Sequence, residues 1–226
     1  MKDVSRRGLA LTLLLGLIAG YIDAIGFIET GGLFVSFMSG NSTQAGAELW
    51  AQGAASALLP LGLVAAFIIG VAAGALSRGP VRTRRWRVIA GAAGAVAICG
   101  IVGLLQPDAF WRFALLAAAM GALNTLYLSE GRARIAITYA TGTLVSLGVA
   151  LADLITGRSR TAWRRPLLLW GSLAAGAVVG AGVERLLHGW ALLVAAGALG
   201  ILAVAVGAVR ERSVRPLSTP GDTLDG

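Results

Sequence analysis

Long apolar segments recur along the whole chain and leave few folds open to it. Six runs are predominantly apolar and about 20 residues long, which is enough for a helix to cross a bilayer: residues 9–28, 55–77, 88–105, 109–128, 167–187 and 190–209. Hydrophobic residues make up 57% of the 226 positions, and charged residues only 13%. The sequence therefore predicts an all-α, polytopic integral membrane protein.

Two further segments are ambiguous, because residues 33–50 and 135–155 each combine an apolar part with a polar interruption. If neither crosses, 17 of the 19 lysines and arginines fall on one side, and Arg112 and Arg185 on the other. If both cross, the division is 11 to 8. Since cytoplasmic loops are rich in lysine and arginine, the charges predict six spans with both termini cytoplasmic. The two ambiguous segments are then broken or re-entrant, and residues 135–155 are the weak point of this topology.

The chain is predicted to form one membrane domain over residues 1–215. No small-x-small cleavage site ends the first apolar run before Asp23, so this run is expected to remain as the first helix. The tail, residues 216–226, is rich in proline, glycine and hydroxyl residues and is predicted to be disordered.

The net charge of +8 is carried by short clusters between apolar runs, which are typical of topology signals and not of nucleic-acid binding. The single cysteine, Cys99, is expected to pack in an apolar run. No Ser/His/Asp set, metal-ligand spacing or phosphate loop is present, so the sequence disfavours an enzyme and predicts no cofactor and no metal. The expected partners are the lipid bilayer and a small solute or ion, with a homo-oligomer left open.

One carboxylate lies inside the first apolar run, at Asp23 in the sequence Gly20-Tyr21-Ile22-Asp23-Ala24. A charged residue at membrane depth costs roughly 2.5–3.5 kcal/mol on insertion scales, so it marks a candidate functional site. The structural alternative is that Asp23 is protonated or caps a broken helix. Glu29 is expected near the outer interface. Glu48, Asp153 and Glu184 lie near span ends, where solvated or capping roles are expected.

The two halves of the chain resemble each other. Gly20 and Asp23 recur as Gly121 and Asn124, 101 residues later. The segment that starts at Met38 aligns with the one that starts at Ala140, 102 residues later. With three spans in each half, residues 9–105 and 109–209 would be related by inversion. Inverted repeats with interrupted segments are typical of secondary transporters.

Small polar residues in the two interrupted segments complete the candidate site. They offer hydroxyls, an amide and flexible backbone, and a helix beginning after Gly40 would direct its positive end at an anion. The alternative is a polar loop with an ordinary cap. The predicted substrate-binding or coupling residues are Asp23, Ser39, Gly40, Asn41, Thr43, Asn124, Thr141, Gly142 and Thr143.

The run from Ala19 to Phe27, followed by Gly32-Leu33-Phe34-Val35-Ser36-Phe37-Met38-Ser39-Gly40-Asn41-Ser42-Thr43, resembles the YoaK-like family of bacterial inner-membrane proteins, catalogued as DUF1275. The resemblance implies a bacterial inner-membrane location and names no substrate. The leading hypothesis from the sequence is a small-solute or ion transporter. A channel-like pore and a scaffold without transport remain as alternatives.

Overall fold

A computed structural model describes residues 6–77, 81–129, 132–133 and 140–214, which are mostly helical. A two-residue antiparallel pair, β1 (Leu128–Ser129) and β2 (Arg132–Ala133), is also present. The α-helices of the described residues are α1 (Arg6–Thr30), α2 (Met38–Ala51), α3 (Ala54–Leu76), α4 (Val81–Leu105), α5 (Trp111–Asn124), α6 (Ala140–Ile155), α7 (Arg164–Leu187) and α8 (Ala191–Val214). The predicted disordered tail lies outside the described residues.

Four stretches of the described residues are long and apolar enough to cross a membrane: Gly8–Thr30, Ala54–Leu76, Arg85–Leu105 and Arg164–Ala208. The last comprises 45 residues and contains both α7 and α8. Large apolar side chains point outward from these helices; Ile68, Val178 and Ile201 are 61%, 74% and 74% exposed. Such a surface suits a hydrocarbon environment, where apolar side chains need no protein partner.

Glycine residues bring α1 and α7 into backbone contact. A Cβ added at Gly20 would meet the backbone of Leu173 and Ala177, and one added at Gly176 would meet the carbonyl of Leu17. Small residues four apart permit this close approach between membrane helices, as the Gly16-x-x-x-Gly20 and Gly176-x-x-x-Gly180 spacings indicate. The crossing of α1 with α7 therefore depends on the absence of side chains.

The crossing of α3 with α5 has the same construction. A Cβ at Gly121 would meet the backbone of Phe67 and Val71, and one at Gly70 would meet the carbonyl of Ala118. Each contact of the first crossing becomes one of the second when 101 is added to the residue number in α1 and 106 is subtracted from the residue number in α7. The corresponding pairs are Leu17 with Ala118, Gly20 with Gly121, Leu173 with Phe67, Gly176 with Gly70, and Ala177 with Val71.

The remaining long helices, α4 and α8, pack on each other. Val96 and Cys99 of α4 and Leu192 and Leu199 of α8 are at most 1% exposed and belong to one continuous apolar core. Helix α5 also packs on α4, and α1 on α8. Helix α1 of the first half therefore corresponds to α5 of the second, α3 to α7 and α4 to α8. Under this correspondence each helix pair named above matches another pair that is also in contact.

The two ambiguous segments each contain one short helix, of 14 residues in α2 and 16 in α6. The break precedes α2, at residues 31–37, so Ser39, Gly40 and Asn41 lie inside the helix and not in the interruption. Likewise, Thr141–Thr143 form part of the first turns of α6. Helix α2 thus begins at Met38, before Gly40 and not after it as predicted. The predicted span at 109–128 has 14 α-helical residues, followed by a single 3-10 turn.

Candidate functional site

A cavity of about 420 Å³ lies beside the C-terminal half of α1. Its walls come from α1, from the irregular segment 31–37, from α7 and from Ala140, the first residue of α6. The lining is mainly apolar and includes Phe27, Phe34, Phe37, Leu173 and Ala177, with Asp23 and Ser36 as its polar side chains. Its volume lies in the range of small-molecule sites, and its polar groups are few and close together.

Asp23 is fixed by the segment that precedes α2. Its Oδ1 accepts hydrogen bonds from the backbone N–H groups of Val35 and Ser36, both at 2.8 Å. Its Oδ2 accepts the hydroxyl of Ser36 at 3.0 Å. The carboxylate therefore satisfies backbone donors just before a helix N-terminus, where the helix dipole favours negative charge. This contact corresponds to the capping alternative derived from the sequence.

The segment 31–37 folds back along α1 because its backbone is anchored at both ends. At its start, Gly31 and Gly32 adopt φ values of 73° and 133°, which suit glycine, and Leu33 donates its N–H to Thr30 Oγ1 at 2.9 Å. At its end, Asn41 accepts the N–H of Phe34 at 2.9 Å and donates to its carbonyl at 2.6 Å. Asn41 is fully buried and thus clamps the loop from the first turn of α2.

Both short helices contribute to this cavity. Phe37, immediately before α2, and Ala140, the first described residue of α6, both line it. Asp23 lies about 6 Å, or four residues at 1.5 Å each, from the middle of the span Gly8–Thr30. The start of α2, the first described residue of α6 and a carboxylate thus share one cavity beside the C-terminal half of α1.

The other predicted site residues do not line the cavity. In the described part of the chain, Asp23 is the one member of the predicted set that lines it. Ser39 and Thr43 are exposed on the outer face of α2, where Thr43 donates its hydroxyl to the Ser39 carbonyl at 3.0 Å. A Cβ added at Gly40 would meet the rings of Phe34 and Phe37, so this position accommodates glycine but not a larger residue.

In the second half, the Asn124 side chain is buried and donates to the Met120 carbonyl one turn earlier, at 2.9 Å. Thr141 is exposed, while Gly142 and Thr143 are partly exposed. Ser36, two residues before α2, was not in the predicted site. Phe34 and Val35 were also missed, because they act through backbone groups. The sequence signal that could have indicated them is the Gly31-Gly32 pair, which allows the chain to fold back.

A second polar cluster joins three helices at the ends of α1 and α7 and the start of α5. Oε2 of Glu29 lies 2.7 Å from Nη1 of Arg112, in an ion pair whose alignment falls outside hydrogen-bond geometry. The exposed fractions of the two side chains are 13% and 6%. Arg112 also donates to the Pro107 carbonyl at 3.3 Å and lies over the Phe113 ring. Gly103 of α4 leaves room for the guanidinium, because a Cβ there would meet Nη1.

Glu184 of α7 joins this cluster, within electrostatic reach of Glu29 and Arg112. It is buried, with 9% of its surface exposed, so the expected solvated or capping role at a span end was wrong. The sequence showed its proximity to a span end but not its burial.

The long apolar helices, the outward-facing apolar side chains and the glycine-mediated crossings together define a multi-pass helical membrane protein. The chain belongs to the family described as "Protein of unknown function (DUF1275)", whose model matches residues 11–205. It is 34% identical over 178 residues to the UPF0700 transmembrane protein RA0705 of Rhizobium meliloti (strain 1021), which covers 79% of this chain and 76% of that protein. The resemblance noted in the sequence is therefore confirmed. No solved structure matches the chain.

Proposed function

We propose that this protein is a small-solute transporter of the bacterial inner membrane with an inverted-repeat core. The observation that carries the proposal is the shared cavity, where Phe37 before α2 and Ala140 of α6 both line the wall that contains Asp23. Interrupted segments at corresponding positions of two repeats, meeting near the bilayer midplane, are the usual construction of a transporter binding site. Irregular backbone at that depth is tolerated where protein or a wet cavity covers it.

The repeat is supported by the two glycine-mediated crossings. Gly20 contacts α7 as Gly121 contacts α3, and Gly176 contacts α1 as Gly70 contacts α5. Met38 and Ala140, which are aligned in the sequence, are the first residue of α2 and the first described residue of α6. We take each half to contain three spans, with α5 as a short span. An odd number of spans reverses the direction of the second half, so the two halves would be related by inversion.

The topology of the transporter follows from its charges. Six spans with both termini in the cytoplasm place 17 of 19 lysines and arginines inside. In this orientation α2 returns toward the periplasm from the cavity, and α6 returns toward the cytoplasm. The Glu29–Arg112 ion pair then lies near the periplasmic ends of its helices.

The cavity predicts the chemistry of the solute. Three phenyl rings and several aliphatic side chains suit a compact apolar body, and Asp23 suits a cationic or hydrogen-bond-donating group. A solute that donates to Oδ2 would compete with the hydroxyl of Ser36. Loss of that hydrogen bond would loosen the segment 31–37 from α1, so solute binding and movement of this segment would be coupled.

A non-transporting scaffold is the second candidate, and one observation favours it. Asp23 already accepts three hydrogen bonds from Val35 and Ser36, which is sufficient reason for a carboxylate at this depth. A channel-like pore is a further alternative. It would require a continuous polar path, whereas the cavity lining is mainly apolar.

The test is a flux screen in proteoliposomes that contain purified protein, with pools of labelled organic cations, neutral amphipathic solutes and inorganic ions. Uptake that depends on Asp23, and is lost in Asp23→Asn, supports transport through this cavity. Asp153→Asn is the matched control, because Asp153 forms an exposed ion pair with Arg158 at 3.4 Å, and its uptake should match that of the native chain. Saturable uptake distinguishes a transporter from a pore. Uptake unchanged in Asp23→Asn would leave the scaffold role for Asp23.

A further inference from the structure

Glu184 has a buried carboxyl group that the described residues do not fully satisfy. Its side chain is more than nine-tenths buried, and Oε2 has no hydrogen-bond partner. Glu29, His188 and Arg112 are the charged or titratable groups within electrostatic reach of this carboxyl. Tyr21 of α1 also faces it, with its hydroxyl donated to the Ala191 carbonyl at 3.0 Å.

The charges of this cluster do not balance when every carboxyl is ionised. Arg112 supplies one positive charge and is paired with Glu29 at 2.7 Å. A second carboxylate at Glu184 would be a buried charge without a close partner, which is a costly arrangement. His188 is exposed at the end of α7. A bound proton removes the excess charge at Glu184, whereas the adjacent guanidinium of Arg112 opposes a metal cation.

We propose that Glu184, beside the Glu29–Arg112 ion pair, is the proton-binding site of this transporter. The proposal rests on the proposed function, for which it supplies the coupling ion. On release, the O–H bond of Glu184 breaks and the proton passes to water on the periplasmic side. The new carboxylate then competes with Glu29 for the guanidinium of Arg112. Proton binding thus decides whether Arg112 is held by α1 alone or shared between α1 and α7.

The position of Glu184 connects the proton to the solute cavity. On α7 it lies one turn beyond Ala181, which lines the cavity. On α1, Glu29 lies six residues, or about 9 Å, beyond Asp23. Helices α1 and α7 are also the pair in backbone contact at Gly20 and Gly176. A change of pairing at the charged cluster therefore acts on the two helices that carry much of the cavity wall.

The cluster breaks the correspondence between the two halves. The residue 101 positions before Arg112 is Leu11, so the buried cation belongs to one repeat only. Cys99 of α4 contacts α5 by donating its thiol to the Arg112 carbonyl at 3.1 Å. Leu11 shows that the corresponding position in α1 holds an aliphatic residue. The ion pair, with the second carboxyl beside it, thus forms at only one of the two corresponding places, as a proton site that opens to one side of the membrane requires.

The test is infrared difference spectroscopy of the purified, folded chain between pH 5 and pH 9, which needs no substrate. A protonated buried carboxyl has a C=O stretching band that disappears when the proton leaves. The native chain should lose such a band as pH rises, and Glu184→Gln should lack that component. Glu48→Gln is the matched control, because Glu48 lies on α2 near the membrane surface and accepts a hydrogen bond from Gln44. It should keep the component.

Two further variants test the proposed competition. Glu29→Gln removes the present partner of Arg112, so Glu184 should then ionise and the band should shrink at pH 5 as well. Glu184→Gln resembles the protonated carboxyl, so it should fold with a melting temperature at pH 6 equal to that of the native chain. An unchanged carboxyl band in Glu184→Gln, or a lower melting temperature at pH 6, would overturn the proposal. Neither result affects the cavity, because the flux of Asp23→Asn tests transport separately.

Discussion

The carboxylate of Asp23 accepts both the backbone N–H and the hydroxyl of Ser36, at 2.8 and 3.0 Å. Thirteen residues separate the two positions, so this contact closes a loop and returns the chain to the depth of Asp23. One side chain therefore holds the break before α2 and also provides the carboxylate of the cavity. These two roles can be separated by substitution.

We expect Asp23→Asn to fold and accumulate but to lose transport. The amide oxygen can still accept the N–H groups of Val35 and Ser36, and the Ser36 hydroxyl can rotate to accept from the amide nitrogen. Asp23→Ala should be less stable than Asp23→Asn, because each buried N–H left without an acceptor costs about 1–3 kcal/mol. Yield after detergent extraction, thermal melting and uptake measure the three effects. Native uptake by Asp23→Asn would exclude its charge from the mechanism.

Alanine at Gly176 and at Gly70 should destabilise the protein to a similar degree. In each case the new Cβ meets a backbone carbonyl of the partner helix, at Leu17 or Ala118. Overpacking of this kind costs about 1–3 kcal/mol. Gly182→Ala is the control in α7, since nothing lies within 4 Å of its added Cβ. Melting temperatures of the three variants in one detergent provide the comparison. If only one of Gly176→Ala and Gly70→Ala lowers the melting temperature, the two crossings are not equivalent.

Reporter proteins fused after Arg165 and after Arg215 should both indicate a cytoplasmic position. The prediction follows from the distribution of lysine and arginine over six spans, 17 against two. A paired alkaline phosphatase and fluorescent protein fusion at each site measures the side directly. A fusion at Gln52, between α2 and α3, should give the opposite result. Periplasmic activity after either Arg165 or Arg215 would contradict the topology.

Cysteines placed on the outer face of α2 should report whether that face is wet. Ser39 and Thr43 are exposed and polar, so Ser39→Cys and Thr43→Cys are expected to react with a charged thiol reagent added from the periplasm. Asn41→Cys is the buried comparison and should react slowly. The native chain supplies a low background, because Cys99 is buried and has 0% exposed surface. Failure of both exposed cysteines to react would place this face against lipid or a second copy of the protein.

The sequence predicted the helical membrane class because apolar length acts locally, but it placed the interruption near Gly40, whereas the irregular segment is residues 31–37. It also indicated Asp23, since a carboxylate inside an apolar run is visible without a structure. It did not predict that Asn41 binds the backbone of Phe34, because a buried clamp and an exposed polar loop have the same composition. Nor did it predict the burial of Glu184 or its proximity to Glu29 and Arg112, which belong to helices far from it in the chain.

The pairing of α1 with α7 and of α3 with α5 has a consequence for biosynthesis. Each pair takes one helix from either half, so neither half buries its own glycine face. During translation α1 enters the bilayer with Gly20 uncovered and waits until α7 has been made, almost at the end of the chain. A nascent chain that stops before Arg164 therefore exposes this face to lipid and to the proteases that remove unassembled helices. The glycine face of each half is therefore covered only when the other half is present in the same bilayer.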